Sequence, residues 1–271
     1  MKELSKDDYE EPLCLLNMSR DAAPIPITRI IDKLDAYLNK KDYDSAERHL
    51  RYWISEAESC RDLRGKLAIL NEQIGLYRKT EKESECLAAI GDALALADSL
   101  DMKQSITYGT TLINAATGCK AFGKEKEALP LYRKAQAIYE SLLDANDGRL
   151  GGLYNNMALT LVELKEFREA EELFQKAIAV MGRQENGELE VAITHLNLAD
   201  LIAAESGLEN GEKEIEKHLR KAEELLNTEG IPRDGYYAFV CEKCAPVFGY
   251  YGYFWIEQEL NRKAREIYER S

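Results

Sequence analysis

Two cysteines, Cys241 and Cys244, have the spacing found in half of a structural zinc site and in dithiol redox pairs. A structural zinc ion needs four ligands, and no second pair of cysteines lies nearby in the sequence. His218 is the nearest histidine, and it falls on a different predicted helix. We therefore interpret both cysteines as packed thiols and expect no bound metal, while a redox role stays open.

The remaining reactive side chains do not form a pattern that is typical of an enzyme. His49, His195 and His218 stand apart in the sequence. No nucleophile elbow, P-loop or dinucleotide fingerprint is present, and the glycine-rich residues 148–152 join two predicted helices rather than following a strand. We therefore predict a non-enzymatic protein that needs no cofactor.

Asparagine recurs at related positions along the chain. Asn114, Asn156 and Asn197 each precede a small residue by two positions, and Asn71 and Asn155 lie one residue earlier in their own segments. A side-chain amide offers a donor and an acceptor together, so a row of amides could hold the backbone of an extended peptide. The alternative is that these amides bond to the backbones of neighbouring helices.

The asparagines belong to a repeated pair of amphipathic helices, which is clearest in residues 154–178. A small or apolar residue recurs early in each second helix, at Ala46, Cys86, Ala128 and Ala170, which sets spacings of 40, 42 and 42 residues. One pair of helices cannot bury its apolar face alone, so neighbouring pairs must stack on each other. The sequence therefore predicts an all-α helical repeat.

This pattern resembles the tetratricopeptide repeat (TPR). The residues that carry the resemblance best are Asn156-Met-Ala158, Phe167, Ala170, Phe174 and Ala177. The usual TPR period is about 34 residues, and the longer spacing here is similar to kinesin-light-chain-type repeats. The resemblance implies a right-handed α-α superhelix, a TPR-like solenoid of about six helical pairs. Its concave face, lined by the first helix of each pair, would bind peptides or protein segments.

The resemblance covers residues 26–271 and leaves residues 1–25 as an N-terminal extension that is partly extended. The approximate pairs are 26–61, 62–102, 103–146, 147–186, 187–230 and 231–271. An alternative for the extension is that Leu13, Leu15 and Leu16 dock on the repeats, as a cap or inside the groove.

Two of these pairs carry irregular features. Four extra residues are expected in the turn of the fifth pair, at Gly207–Gly211. Pro246 is expected to kink or divide the first helix of the sixth pair.

Two surfaces are candidates for binding. The predicted concave-face residues are Asn71, Arg78, Asn114, Lys120, Asn155, Asn156, Leu159, Glu163 and Asn197. Arg78 and Lys120 would attract a carboxylate in this acidic protein, although an ordinary solvated face also explains them. The second candidate is the densest aromatic stretch, Tyr250, Tyr251, Tyr253, Phe254 and Trp255. This stretch is either a patch for a partner or a second copy, or a core seam against the fifth pair.

Composition narrows the class of partner. The net charge of −13 argues against nucleic acid and against an anionic membrane surface, because both require clusters of Lys and Arg. Without a signal peptide or a long apolar run, and with scattered cysteines, we expect a cytoplasmic protein with reduced thiols. The sequence predicts a protein- or peptide-binding scaffold or adaptor whose partner is unknown. The alternatives are a homo-oligomeric module, such as a homodimer, and a peptide-sensing regulator acting in trans.

Overall fold

The computed structural model describes residues 24–270, and this part of the chain forms twelve α-helices and no β-strand. The chain divides into two compact units, Met1–Lys124 (unit 1) and Glu125–Ser271 (unit 2). The helices described in unit 1 are α1 (Ile27–Asn39), α2 (Tyr43–Ser59), α3 (Leu63–Lys79), α4 (Glu83–Ser99) and α5 (Ile106–Ala121). The helices of unit 2 are α6 (Glu125–Leu142), α7 (Gly148–Glu163), α8 (Phe167–Met181), α9 (Glu188–Ser206), α10 (Leu208–Leu226), α11 (Gly235–Tyr250) and α12 (Phe254–Tyr268). The predicted all-α helical repeat is confirmed. None of these helices combines the length and apolar character required to cross a lipid bilayer.

Short turns with one residue in the left-handed region connect the helices of unit 1. These residues, with φ between 50° and 57°, are Lys41, Arg61, Glu81 and Asp101. In two turns the next residue caps the following helix: Asp42 accepts a hydrogen bond from the Ser45 N–H, and Asp62 accepts one from the Gly65 N–H. Such caps satisfy backbone donors that have no partner inside the helix, so the turn and the start of the next helix are specified together.

The core of unit 1 is built from apolar residues at helical spacing. Ile30 and Leu34 on α1 pack with Leu50 and Trp53 on α2 and with Ile69 on α3. Fully burying one side chain of this size contributes about 1.5–3 kcal/mol. The apolar face that each helix presents is therefore covered by its neighbours in the chain.

One core cluster of unit 2 lies among α9, α10, α11 and α12. Leu196, Leu219, Tyr237, Phe248 and Leu260 are among its buried members. Between these large side chains lie small residues that allow the helices to approach closely: Ala192, Ala199, Ala222, Ala238 and Ala264. Alternating large and small side chains let the helices interdigitate at the density of a protein interior.

In each unit the first helices of the pairs form one layer. Helix α3 contacts both α1 and α5, and α9 contacts both α7 and α11. In residues 24–270 the second helices of successive pairs make no contact of similar extent within a unit. We call α1, α3 and α5 the first-helix layer of unit 1, and α7, α9 and α11 the first-helix layer of unit 2.

Two details of the prediction are wrong. The extra residues at Gly207–Gly211 do not form a longer turn, because α10 already begins at Leu208. Gly207, with φ of 79°, ends α9 and allows the chain to turn directly into α10, so the extra residues lengthen the helices.

The division of the helix that was one alternative at Pro246 is also wrong, while a kink there stays a prediction. Helix α11 continues through this residue to Tyr250, and α6 contains Pro130 in the same way. Proline removes the hydrogen bond to the carbonyl four residues earlier, which is that of Glu242. Both Glu242 and Pro246 are exposed, so water can satisfy this carbonyl.

The predicted docking of the N-terminal extension involves Leu13, Leu15 and Leu16, which lie outside the described residues. This docking stays a prediction.

Candidate functional site

Asparagine side chains link neighbouring first helices in unit 1. The Asn114 Nδ2 atom on α5 donates a hydrogen bond of 2.9 Å to Oδ1 of Asn71 on α3. The Asn71 Nδ2 atom donates to the Leu67 carbonyl at 2.9 Å and to the Thr111 hydroxyl at 3.1 Å. Both donor hydrogens and one acceptor position of the Asn71 amide are therefore engaged inside unit 1.

The same arrangement recurs in unit 2. The Asn197 Nδ2 atom on α9 donates to Oδ1 of Asn155 on α7 at 2.8 Å. The Thr194 hydroxyl, three residues before Asn197, lies 3.4 Å from the same oxygen. The four amides thus bond to neighbouring helices of the same protein. Their partners across the helices are side chains, whereas the alternative in the sequence analysis expected helix backbones. In the described residues, Oδ1 of Asn114 and of Asn197 accepts no hydrogen bond and stays available to a ligand.

These amide links predict different effects for two adjacent residues. Replacing Asn155 by alanine leaves the Asn197 amide donor without its acceptor and is expected to lower the free energy of unfolding by about 1–2 kcal/mol. Replacing Asn156 by alanine is expected to change it by less than about 0.5 kcal/mol. Both changes raise helix propensity equally, so the difference isolates the link. Urea unfolding followed by circular dichroism measures it, and equal effects at the two positions would contradict the structural role.

A second set of predicted residues forms a stripe along α7. Asn156 and Leu159 are half-buried, and Glu163 is exposed. Spacings of three and four residues place them on one face of the helix. Within residues 24–270 the Asn156 amide has no hydrogen-bond partner, and Glu163 has no ion pair. The polar groups of Asn156 and Glu163 are therefore not engaged by the described part of the fold, and the role of all three residues in binding stays a prediction.

The two predicted basic residues lie in unit 1. Arg78 is exposed near the end of α3 and forms no ion pair within the described part of the chain. Lys120, in the last turn of α5, is half-buried. Attraction of a carboxylate by either residue stays a prediction.

The aromatic stretch at the end of α11 and the start of α12 has two faces. Tyr251 and Tyr253 are half-buried and pack against the core of unit 2. Tyr250, Phe254 and Trp255 are 69%, 62% and 76% exposed. The stretch therefore contributes to the core on one side and presents large aromatic side chains to solvent on the other.

Helix α11 adds two exposed aromatic residues that our sequence analysis missed. Tyr236 and Phe239 are 46% and 51% exposed, and their rings stack with centroids 6.3 Å apart. The Tyr236 hydroxyl also donates a hydrogen bond to Glu190 on α9. Their spacing from Pro246 and Tyr250 in steps of three, four or seven residues is the signal that could have found them.

Two histidines that are distant in sequence meet between α9 and α10. The Nδ1 atoms of His195 and His218 lie 2.8 Å apart, so one ring donates and the other accepts. Burial lowers the pKa of His195 to about 4 and also lowers the pKa of His218. Both rings are therefore neutral near pH 7. The described residues contain no group of three or more His, Cys, Asp or Glu side chains that could hold a metal ion.

Cys241 and Cys244 are free, buried thiols on α11. Burial raises the pKa of Cys244 to about 12 and also raises the pKa of Cys241. A thiol rather than a thiolate is present at neutral pH, and only the thiolate is a good nucleophile. The structure places both residues in the core of unit 2, as packed thiols.

Residues 151–186, which contain α7 and α8, match the family model of the tetratricopeptide repeat. The α7–α8 pair is thus matched by the TPR family. The predicted resemblance is therefore confirmed, and TPR-type folds in general mediate protein–protein interaction.

Solved structures show the same TPR-type fold. BtubC (BKLC) from P. vanneervenii is 18% identical, with a TM-score of 0.65 over 76% of this chain and 83% of that protein. A kinesin-light-chain-like protein from Podosopora anserina with nearly identical TPR-like repeats is 16% identical, with a TM-score of 0.53 over 74% of this chain and 94% of its own. A search of curated protein sequences finds no significant match.

Proposed function

We propose that this protein is a non-enzymatic scaffold or adaptor that binds a protein segment on the first-helix layer of unit 2. One observation carries the proposal: this layer presents polar groups that the fold does not use beside exposed aromatic rings. The polar groups are the Asn156 amide and Oδ1 of Asn197, and the rings are those of Tyr236, Phe239 and Tyr250.

These groups suit a polypeptide ligand for two reasons. An extended peptide carries one backbone donor and one acceptor per residue, which side-chain amides can pair without regard to sequence. Exposed aromatic side chains bury large areas on contact and are enriched at protein interfaces. The peptide backbone carries no net charge, so the net charge of −13 on this chain does not repel it.

Selection from a random peptide library tests the proposal. We expect wild-type protein to select peptides whose affinity falls about tenfold or more when Asn156 and Phe239 are both replaced by alanine. The matched control replaces Lys134 and Gln175 by alanine, because both are exposed on second helices of unit 2. Circular dichroism checks that both double variants stay folded.

Two outcomes of the library selection would contradict this function. One is a selection that enriches no peptide. The other is a set of peptides that bind the Asn156/Phe239 variant as tightly as wild type, which would place binding elsewhere on the protein.

Self-association is a second candidate function, favoured by the exposed Phe254 and Trp255 rings on α12. An apolar patch of this kind can pair with the same patch of a second copy to form a symmetric homodimer. A molar mass by light scattering that stays monomeric at all concentrations would exclude it. The peptide-sensing regulator acting in trans has no further observation in its favour.

A further inference from the structure

A pocket opens in unit 2 where the C-terminal ends of α9 and α11 meet the start of α10. Its walls are largely apolar and include Ala204, Leu208, Pro246, Val247 and the ring of Tyr250. The remaining wall carries Asp200, the only charged residue that residues 24–270 contribute to the lining. The pocket is thus an apolar recess with one carboxylate.

The Asp200 carboxylate is only partly satisfied by the protein. Its Oδ1 atom accepts a hydrogen bond of 2.8 Å from the Tyr251 hydroxyl, across 51 positions of sequence. No Lys, Arg or His side chain of the described residues forms an ion pair with Asp200. The apolar surroundings raise the pKa of this carboxyl, and the Tyr251 hydrogen bond opposes that change. Asp200 is exposed, so water also reaches its carboxylate, and a cation that fits the pocket can replace that water with an ion pair.

We propose that this pocket binds the side chain of a lysine or arginine from a protein segment lying on the first-helix layer of unit 2. The proposal rests on the proposed function and specifies its partner as a basic segment. Lysine and arginine combine an apolar stem with a charged tip, which matches apolar walls that end at a carboxylate.

The aromatic wall strengthens this match. The Tyr250 ring is 69% exposed and is held edge-on to the Tyr251 ring, with centroids 5.0 Å apart. A cation beside Asp200 can therefore also approach the face of a tyrosine ring, which attracts positive charge.

Other side chains fit the pocket less well. An acidic side chain would be repelled by Asp200, and an apolar side chain would remove water from the carboxylate without replacing its interactions. The net charge of −13 further favours association with a basic segment.

The pocket is continuous with the surface proposed to hold a peptide. Asn197 lies three residues before Asp200 on α9, and its Oδ1 atom has no hydrogen bond within the described part of the chain. A backbone N–H bound at Asn197 would leave one side chain near the mouth of the pocket. The first-helix layer and the Asp200 pocket can therefore engage one segment together.

Nuclear magnetic resonance with single-residue probes tests the pocket directly on the full chain. The probes are the Nα-acetyl methylamides of lysine, arginine and norleucine, because norleucine has the apolar stem of lysine without its charge. We expect the lysine and arginine probes to shift the amide signals of Asp200, Ala204 and Tyr250. Norleucine is expected to bind about tenfold more weakly, because it lacks the ion pair.

Two variants identify the group responsible. Asp200→Asn keeps the shape and an acceptor for Tyr251, and it is expected to weaken the lysine probe about tenfold. Glu205→Gln removes the same charge from an exposed position on α9 outside the pocket and is expected to leave binding unchanged. Added salt is expected to weaken the binding of the lysine probe to wild-type protein more than the binding of the norleucine probe.

Three results would contradict the proposal that the pocket binds a basic side chain. These are no shift with any probe, equal binding of norleucine and lysine, or lysine binding that is unchanged in Asp200→Asn. The failure of the pocket differs from a failure of the proposed function. If library peptides bind but show no preference for lysine or arginine and no effect of Asp200→Asn, the scaffold stands and the pocket does not. If the lysine probe binds but no peptide is selected, the pocket stands without the scaffold.

Discussion

Replacing Phe174 by alanine is expected to lower the free energy of unfolding by about 3–5 kcal/mol, the usual range for a buried phenylalanine. Phe174 lies on α8 with none of its side chain exposed. It occupies the same repeat position as Tyr132, which is also fully buried. Removal of the ring leaves a cavity between stacked helices, and the surrounding backbone cannot close it without disturbing the small-residue contacts on either side.

The matched control for this change is Phe239→Ala on α11. Phe239 is 51% exposed, so we expect a loss below about 1 kcal/mol for the same chemical change. Urea unfolding followed by far-ultraviolet circular dichroism gives both values. In a Trp255→Phe background, Trp53 in the core of unit 1 provides a fluorescence signal for the unit that contains neither phenylalanine substitution. Similar losses at the two phenylalanines would show that Phe174 does not occupy a packed position.

The stability of the protein is expected to fall as the pH is lowered from about 6.5 towards 4, in part because of the histidine pair. Burial lowers the pKa of His195 from 6.5, the value of the free side chain, to about 4, and it also lowers the pKa of His218. In this window the unfolded chain takes up protons that the folded chain does not. The contribution of the pair is therefore complete above the unfolded pKa and is lost as the pH falls.

The size of this pH effect follows from the linkage between proton binding and folding. One pKa unit corresponds to about 1.4 kcal/mol, and the pair is only half-buried, so we expect a loss of about 1–2 kcal/mol between pH 6.5 and 4.5. Carboxyls whose pKa is raised, such as those of Glu190 and Asp200, act in the opposite direction. The pair is isolated by comparing wild type with the His195→Gln/His218→Gln variant.

The measurement is the slope of the free energy of unfolding against pH, obtained from urea titrations at several pH values. We expect a shallower slope for the double variant, whatever its absolute stability. His49→Gln is expected to flatten the slope as well, because His49 is a buried histidine in unit 1 whose pKa is also lowered by burial. If the double variant keeps the slope of wild type, the two imidazoles are not held neutral by the fold.

Much of the fold was accessible from the sequence. The spacing of Ala158, Ala170 and Phe174 predicted a buried face, and all three side chains are fully buried. The predicted division at Pro246 failed, because the cost of proline in a helix depends on whether the carbonyl it leaves without a partner reaches solvent. That exposure is set by neighbouring helices, and the local sequence does not report it.

The candidate site was less accessible. The recurrence of asparagine was visible, but its links were not: Asn71 meets Asn114, and Asn155 meets Asn197, because the stacked first helices bring positions together with an offset of one residue. Tyr236 and Phe239, whose rings are exposed, also lie at helical spacing, but this spacing was not used to predict a binding face. Neither the solvent-facing side of α11 nor its contact with α9 could be read before the helices were packed.

The sequence by itself determined the helices, their repeat and the identity of the residues that must be buried. Helical spacing, capping residues and small-residue positions act within a few residues of each other, so a linear pattern records them. Only the tertiary structure decided which polar groups form hydrogen bonds within the protein and which remain available to a ligand. The Asp200–Tyr251 hydrogen bond and the His195–His218 contact join different helices. Their geometry depends on the register of helix against helix, which results from the packing of many side chains at once.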